Sequence, residues 1–335
     1  MLRKLIAVIL ILFLIGFAIY ILNHKGTSKP LLNRPSLAAT AAKDSLWIAP
    51  DSTKIPNTAE GDLIRYGKEL IANTSNYFGP HGSIAPTANG MNCQNCHLDA
   101  GTKAFGNNYS GVFSTYPKYR ERRNAVETIN QRISDCFQRS LNGQAPDSNG
   151  REMKAIFAYM RWLGSNVSKG IKPPGSGIVK LGFLDRPADS MKGSKIYIEK
   201  CQKCHGVSGG GMLKPDSLHY LYPPLWGDHS YNTGAGLYRL SRFAGYVRDN
   251  MPFGASHKAT QVTDEEAWDV AAFVNSQPRK SKKFKRDWPD ISKKPFDHPF
   301  GPYVDSFSER QHKYGPFGPI TRAIDEWDKN KTAKK

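Results

Sequence analysis

The sequence contains few cysteines and few acidic residues for its length. Five of its 335 residues are cysteines, and none precedes Cys93, which excludes the lipid-modified cysteine of a bacterial lipoprotein anchor. Its 29 Asp and Glu residues are outnumbered by 47 Lys and Arg residues, which gives a formal net charge of +18. A surface with this charge favours small oxyanions, acidic proteins or phospholipid head groups as partners. No nucleic-acid-binding motif accompanies the charge, so nucleic acid is not an expected partner.

The N-terminus carries a long hydrophobic run. Leu5 to Leu22 contain no charged side chain, and a run of this length nearly spans the hydrocarbon core of a bilayer. No small-residue cleavage site follows closely, since the first candidate is Ala39-Thr40-Ala41. We therefore predict that residues 1–24 form an uncleaved transmembrane helix rather than a cleaved signal. The rest of the chain is expected on the periplasmic side of a bacterial inner membrane.

Two segments share the pattern C-x-x-C-H, which is the attachment signature for c-type haem. They are CQNCH, from Cys93 to His97, and CQKCH, from Cys201 to His205. Two thiols at this spacing add to the two vinyl groups of one haem, and the adjacent histidine reaches the iron. A zinc site or a disulfide is the alternative, but two copies in an exported chain favour haem. The sequence predicts two covalently attached haem c groups, held by Cys93, Cys96, Cys201 and Cys204, with His97 and His205 as iron ligands.

The surroundings of the two motifs follow one plan. A helix-like run precedes each motif, and another follows it at a distance. In the last of these runs, Thr263 and Glu266 predict a capping box, and the i, i+3, i+4, i+7 rule is followed by Ala267, Val270, Ala271 and Val274. This order is similar to that of a class I cytochrome c domain. The predicted fold class is mainly α: two class I cytochrome c-like domains in tandem, with an N-terminal transmembrane helix and an extended C-terminal tail.

Composition divides the chain into segments. Residues 25–58 are rich in Ser, Thr, Ala, Pro and Lys, which is typical of a tether. The stretch GSNVSKGIKPPGSG is rich in Gly, Ser and Pro, as a linker is. The final segment is basic and has no periodic pattern, so we predict an extended tail that wraps over both domains. The predicted segments are the anchor 1–24, the tether 25–58, the first domain 59–166, the linker 167–186, the second domain 187–279 and the tail 280–335.

A low-spin haem needs a second axial ligand opposite its histidine. In the second domain the candidate is Met251, in RDNMPFG just before the last helix, where a Met-Pro is common among small cytochromes c. Met212 is a rival, but it follows the haem motif closely, and a methionine of the core is the other alternative. Thioether ligation raises the reduction potential of a haem, which suits the exit of electrons.

The first domain has no Met-Pro, and Cys136 stands at a similar distance beyond its haem motif. Because haem uses four cysteines, Cys136 has no disulfide partner in the chain. Its helical stretch places Arg132, Arg139 and Ser140 within one turn, on about one face. Cationic neighbours lower the pKa of a thiol and favour the thiolate, which is a strong iron ligand. A buried, inert thiol is the alternative, and the other candidate ligands are Met153, Met160 and His81.

These residues resemble a known family. The stretches INQRISDCFQRSLNG, PPLWGDHSYNTGAG, NMPFG and DHPFGPYVDSFSERQHKYGPFGPI look like those of dihaem thiosulfate dehydrogenases, over about residues 58–320. These periplasmic enzymes couple two thiosulfates into tetrathionate, and some work well in reverse as tetrathionate reductases. The resemblance implies that the haem with His97 and Cys136 as axial ligands is the active site. It also implies that the substrate is bound by Arg122, Arg132 and Ser140.

The resemblance implies a dihaem oxidoreductase that interconverts thiosulfate and tetrathionate. Electrons would pass from the His/Cys haem to the haem held by His205 and Met251, and on to an external acceptor or donor such as a small cytochrome. Some family members carry a lysine beside that methionine and switch ligands. Here the residue is Asn250, so we expect plain His/Met ligation. We further hypothesise that the Cys136 sulfur leaves the iron and forms a transient S-thiosulfonate adduct, which a second thiosulfate attacks.

Two other functions compete with this one. One is a membrane-tethered dihaem electron carrier without its own substrate, and the other is a thiolate-haem subunit of a larger sulfur-oxidation complex. A carrier needs neither an anion site nor a thiolate-ligated haem, so the Cys136 helix with its arginines favours the enzyme. A subunit would need a partner protein that presents a carrier-bound substrate, so turnover of free thiosulfate by the purified chain would argue against it.

Overall fold

Residues 45–333 are described by a computed structural model, and the predicted transmembrane helix at 1–24 lies outside them. Within the described residues, no helix is long and apolar enough to cross a bilayer. Residues 45–333 are mainly helical, as predicted, and their strands form two short antiparallel hairpins. Buried apolar side chains form two clusters, one centred in each predicted domain.

The first domain is built around its first and last helices, α1 and α6, whose apolar faces pack against each other. The haem motif follows α2 and begins in a short 3-10 turn, Cys93–Asn95. The hairpin that precedes α5 pairs Lys118 with Glu127. The elements are α1 (Ala59–Ala72), α2 (Thr74–Phe78), α3 (Leu98–Gly101), α4 (Val112–Thr115), β1 (Lys118–Arg120), β2 (Ala125–Glu127), α5 (Ile129–Arg139) and α6 (Arg151–Leu163).

The second domain repeats the order of helix, haem motif, hairpin and last helix. The predicted capping box at the start of the last helix is confirmed, because Thr263 Oγ1 accepts from Glu266 N at 3.1 Å and Glu266 Oε2 accepts from Thr263 N at 2.8 Å. The predicted apolar face is also confirmed, since Ala267, Val270, Ala271 and Val274 are buried. The elements are α7 (Ser190–Ile196), a π-helical turn (Tyr197–Cys201), α8 (Gln202–His205), β3 (Met212–Leu213), β4 (Tyr220–Tyr222), α9 (Leu240–Asn250) and α10 (Asp264–Ser276).

A glycine allows the first and last helices of each domain to cross closely. A Cβ built at Gly67 on α1 would lie 2.0 Å from the carbonyl oxygen of Ala155 on α6. In the second domain, a Cβ at Gly193 on α7 would lie 1.9 Å from the carbonyl oxygen of Asp269 on α10. Neither crossing leaves room for a methyl group. Each domain therefore depends on a close contact between a glycine of its first helix and a backbone carbonyl of its last helix.

Replacing Gly67 with alanine is expected to destabilise the protein by about 1–3 kcal/mol, the usual cost of overpacking a tight contact. The backbone of Ala155 cannot move aside as a flexible side chain would. Thermal unfolding of the Gly67→Ala holoprotein should show a lower midpoint than the wild type. Gly182→Ala is the matched control, because a Cβ at Gly182 has no atom within 4 Å. Equal midpoints for the two variants would contradict the close crossing.

Hydrogen bonds join the second domain to the haem motif of the first. The Tyr246 hydroxyl on α9 donates to the Asn95 carbonyl oxygen at 2.7 Å. The Asn232 amide donates to the Gln138 carbonyl oxygen on α5 at 2.8 Å. Leaving such buried polar groups unpaired costs free energy, so the Tyr246 bond holds α9 beside the first haem motif and the Asn232 bond holds the second domain against α5.

The described part of the predicted tether, and the predicted linker, pack against the first domain. Ile55 is buried, and Trp47 Nε1 donates to the side chain of Asn166 at 2.9 Å. The linker pairs with the loop after the first haem motif through two backbone bonds of 2.8 Å, Phe105 N to Gly175 O and Asn107 N to Gly177 O. The linker therefore forms part of the wall around this motif.

The predicted tail ends in helices. These are α11 (Glu309–Tyr314) and α12 (Phe317–Ala333). The prediction of an extended tail without periodicity is wrong for these residues. Phe317 and Ile320 recur on one face of α12 and are buried in the apolar cluster of the second domain, so burial of this face stabilises the helix.

Two tail aspartates connect the tail to both domains. Asp287 accepts two hydrogen bonds of 2.8 Å from Arg139 at the end of α5. Asp297 is buried and accepts a 2.7 Å bond from Arg239, just before α9. Bidentate and buried pairs of this kind hold both partners in one geometry, so the tail contacts the first domain as well as the second.

Candidate active site

The first haem motif borders a cavity of about 370 Å³, here called the first cavity. Its walls come from α5, from the β1 strand and from the linker. Three of the four predicted catalytic residues meet the haem motif here: the lining includes Cys93, Cys96, His97, Arg132, Cys136 and Ser140. Of the predicted catalytic residues, Arg122 does not line the first cavity.

The histidine of the first motif is held in one orientation. His97 Nδ1 lies 2.6 Å from the Asn107 carbonyl oxygen, and its ring stacks on Tyr109 with centroids 4.5 Å apart. Burial lowers the pKa of His97 to about 4, so the imidazole is neutral at pH 7. The hydrogen bond at Nδ1 leaves Nε2 as the nitrogen available to a metal.

Helix α5 carries both Cys136 and a cation one turn before it, Arg132. A capping box between Thr128 and Gln131 fixes the start of this helix. Arg132 and Cys136, at i and i+4, project from the same side into the first cavity. The Cys136 sulfur raises the pKa of Arg132. Across residues 45–333, no carboxylate lies within 4.0 Å of the Arg132 guanidinium.

The first cavity carries an excess of positive charge. Within the described chain, no aspartate or glutamate lines it, and Arg120 is the lining cation with a carboxylate nearby, Glu127 at 3.5 Å. Such a cavity raises the local concentration of small anions. The cationic lining residues are Lys118, Arg120, Arg132, Lys172 and Arg242.

Two arginines predicted near Cys136 instead face the tail. Arg122 lines a cavity of about 540 Å³ beside the tail, with its Nε 4.0 Å from the Asp287 carboxylate. Burial, together with the nearby Arg139 and Arg132, lowers the pKa of Arg122 to about 10. Arg139 lies on about the same face of α5 as Arg132, as predicted, but it does not line the first cavity, because Asp287 binds its guanidinium and it stacks on Phe284 at 3.6 Å. A substrate-binding role for Arg122 stays a prediction.

Several lining cations were not predicted from the sequence. Lys118 and Arg120 belong to the basic run YPKYRERR, which is a visible signal for an anion site. No local sequence pattern marks Lys172 or Arg242 as part of an anion site, because the linker and α9 bring them to the cavity from distant parts of the chain.

The alternative ligands for the first haem lie in different places. Met160 on α6 lines the first cavity, as Cys136 does. Met153 is fully buried in the first apolar cluster and does not line the cavity, and His81 is exposed. Cys136 and Met160 are therefore the candidates that the fold places beside the first haem motif.

The second haem motif borders a cavity of about 240 Å³, here called the second cavity. His205 Nδ1 lies 2.8 Å from the Pro223 carbonyl oxygen, which again leaves Nε2 for a metal, and burial lowers the pKa of His205. The rival Met212 is 40% exposed on β3 and does not line the cavity. The predicted haem residues all line it: Cys201, Cys204, His205 and Met251.

The two cavities share part of their walls. Met91 and Cys96 line both of them. Because Cys96 belongs to the first haem motif, a haem attached there would be held by a residue that also lines the second cavity. This arrangement suits electron transfer between two redox groups.

Comparisons with known proteins agree with this architecture. A family described as "SoxA/TsdA, cytochrome c domain" matches residues 84–172, and the family "Cytochrome c" matches residues 190–278. The thiosulfate dehydrogenase of Psychrobacter arcticus is 37% identical over 72% of this chain and 71% of its own. That of Allochromatium vinosum is 38% identical over 69% of this chain and 83% of its own.

A solved structure gives the same result. Thiosulfate dehydrogenase (TsdBA) from Marichromatium purpuratum, in its "as isolated" form, has a TM-score of 0.64 and 32% identity, and the match covers 69% of this chain. This chain spans about half of that protein, since the match covers 49% of it. The prediction of two cytochrome c domains in tandem is confirmed.

Each domain binds one haem c covalently, as its cytochrome c family implies. The residues fit this cofactor. Both motifs place two thiols and a histidine at one cavity, and each histidine has its Nδ1 engaged by a backbone carbonyl. Apolar walls and an oriented axial histidine are what a haem site requires.

The relatives and the site lead to one assignment. Identities of 37% and 38% extend over most of both chains. The first-domain family is the one that unites SoxA and TsdA, and Cys136 lies within its matched residues. The chain belongs to the thiosulfate dehydrogenase family.

Proposed function

We propose that this protein interconverts thiosulfate and tetrathionate in the first cavity. In the forward direction two thiosulfates are joined and two electrons are released. One observation carries the proposal: five cations, and no carboxylate of the described chain, surround the cavity that contains both Cys136 and His97. A protein that only carries electrons needs a cavity for its haem, but it does not need a further cysteine thiol there with an arginine one turn away. Membership of the thiosulfate dehydrogenase family supports the same substrates.

The cations offset the repulsion between two substrate dianions. Two unit charges 4 Å apart repel by about 4 kcal/mol at an effective dielectric constant of 20, and two dianions repel more strongly. Arg132 remains protonated, and its planar guanidinium binds two sulfonate oxygens at once. Ser140, one turn beyond Cys136, offers a hydroxyl donor in the same cavity. Arg132 and Ser140 therefore hold thiosulfate beside the Cys136 sulfur.

Cys136 provides the sulfur through which the two substrates are joined. Its thiolate and one thiosulfate form an S–S bond with loss of two electrons, which gives a cysteine S-thiosulfonate. The second thiosulfate attacks the sulfur next to Sγ, so that a new S–S bond forms while the bond to Sγ breaks and the thiolate leaves. Tetrathionate is the product, and the cysteine is regenerated. The two haem c groups supply the one-electron acceptors that the first step requires.

The second cavity is the side from which electrons leave. Met251 and His205 line it, and thioether ligation gives a haem a higher potential than thiolate ligation does. Phe253, next to this cavity, is 86% exposed and offers an apolar contact to a small cytochrome as external partner. The reaction takes place on the periplasmic side of the membrane. The anchor at residues 1–24 stays a prediction.

Steady-state turnover of the purified, haem-loaded protein tests the function. Thiosulfate with an artificial electron acceptor should yield tetrathionate, and tetrathionate with a reductant should yield thiosulfate. Silence in both directions, with both haem groups intact, would favour a tethered electron carrier. Turnover that appears only with a partner presenting a carrier-bound substrate would favour a subunit of a larger sulfur-oxidation complex.

The second haem is expected to keep His/Met ligation. Asn250, which precedes Met251, is buried, and its Nδ2 donates to the carbonyl oxygens of Tyr246 at 2.9 Å and Phe105 at 3.2 Å. A side-chain amide held in this way does not replace a thioether. Magnetic circular dichroism should therefore show methionine ligation in the isolated protein. A signature of amine ligation, before or after reduction, would contradict this prediction.

A further inference from the structure

Arg242 enters the first cavity from the second domain. It lies on α9, and among the described residues beyond 186 it alone lines this cavity. Tyr246, one turn further along α9, donates to the Asn95 carbonyl oxygen at 2.7 Å. Since Asn95 lies inside the first haem motif, this bond fixes α9 and Arg242 relative to the cavity.

Arg242 lacks the structural partner that its neighbour has. Arg239 donates to the buried Asp297 at 2.7 Å. By contrast, no carboxylate within residues 45–333 lies within 4.0 Å of the Arg242 guanidinium. Burial and the nearby Arg239 lower the pKa of Arg242 to about 10, so it is still a cation at neutral pH. A half-buried cation is stabilised by an anion beside it, and a sulfonate of the substrate in the cavity is such an anion.

Lys172 meets Arg242 at the same cavity. The linker that carries Lys172 is held by the Phe105 N to Gly175 O bond of 2.8 Å. Lys172 and Arg242 both line this cavity, and burial together with the nearby Arg242 lowers the pKa of Lys172. Lys172 lies in the linker and Arg242 in the second domain, whereas Arg132 projects from α5 beside Cys136. Cations therefore reach the cavity from separate parts of the chain: Arg132 from α5, which also carries Cys136, and Lys172 and Arg242 from the linker and α9.

We propose that Arg242 and Lys172 form a second anion subsite, which takes the second thiosulfate or the far sulfonate of tetrathionate. This subsite depends on the proposed function, because only a reaction between two thiosulfates needs two anion positions. Tetrathionate has a sulfonate at each end of its sulfur chain. Arg132 binds the end beside Cys136, and Arg242 with Lys172 binds the other end. The active site is then complete only when the second domain is in place.

Tetrathionate binding to the oxidised, full-length holoprotein tests the subsite without turnover. Isothermal titration calorimetry of Arg242→Gln should show about 10- to 100-fold weaker binding, the usual loss for a charge-assisted hydrogen bond. The kcat/KM for tetrathionate should fall by a similar factor. Arg242→Lys should recover part of the loss, because it restores the charge but not the two-point contact. Lys172→Gln should weaken binding in the same direction.

Lys180→Gln is the matched control, since it removes an exposed positive charge near Lys172 that does not line the cavity. It should bind tetrathionate as the wild type does. If Arg242→Gln and Lys172→Gln also bind as the wild type, which itself turns over, the subsite is refuted and the proposed function stands. If the wild type neither binds nor converts tetrathionate or thiosulfate, the proposed function fails and the subsite fails with it. Unchanged absorption spectra of both haem groups show that a variant is folded.

Discussion

Replacing Cys136 with serine is expected to abolish turnover while both haem groups stay attached. The expected loss is about 1,000-fold or more, as for removal of other covalent nucleophiles. A serine hydroxyl is not ionised at neutral pH and does not form the S-thiosulfonate. It is also a much weaker iron ligand than a thiolate. The attachment cysteines of both motifs are untouched, so mass spectrometry should find two haem groups.

A second variant separates ligation from covalent chemistry. Cys136→Met keeps a sulfur atom in the first cavity, but a thioether cannot form and release the adduct. We expect this variant to be as inactive as Cys136→Ser. Ser134→Ala is the control on the same helix, because the Ser134 hydroxyl bonds to the Asn130 carbonyl and does not line the cavity. Full thiosulfate oxidation by Cys136→Met would refute the covalent role of Cys136.

The haem motifs and the element plan were predictable because their signals are local. The C-x-x-C-H motif specifies the attachment of a haem and its proximal ligand within five residues. The capping box of Thr263 and Glu266 specifies the start of a helix within four. Cys136 was singled out by its distance from His97 and by Arg132 one turn away, and both line the first cavity. Such patterns depend on residue types and their spacing along the chain, so no tertiary knowledge was needed.

Features that depend on distant contacts were missed. Arg139 has nearly the same angular position on α5 as Arg132, yet the tail carboxylate of Asp287 binds it. Arg242 and Lys172 reach the first cavity only because the second domain and the linker fold over it. The helix α12 was missed for another reason: many prolines and aromatic residues precede it and hide the period of its apolar face.

Replacing Arg132 with glutamine is expected to lower kcat/KM for thiosulfate by about 100-fold, the loss of a strong charge-assisted contact. Arg132 projects from the same side of α5 as Cys136 and has no carboxylate partner within 4.0 Å in the described chain. Its charge is therefore available to the substrate. Arg132→Lys should recover only part of the activity, because an ammonium group does not bind two sulfonate oxygens in one plane.

The division of this loss between KM and kcat decides what Arg132 does. If Arg132 only binds one thiosulfate in the ground state, its replacement should raise KM and leave kcat unchanged. If Arg132 offsets the repulsion as two dianions approach, its effect is largest during S–S bond formation, and kcat must fall as well. Arg161→Gln is the control, since Arg161 pairs with Glu60 at the surface of the first domain, with side chains 54% and 60% exposed. A surface pair of this kind contributes little to stability, so Arg161→Gln should stay folded and active. Equal losses of kcat/KM in Arg132→Gln and Arg161→Gln would mean that the overall positive charge of the protein, and not the position of Arg132 beside Cys136, attracts the substrate.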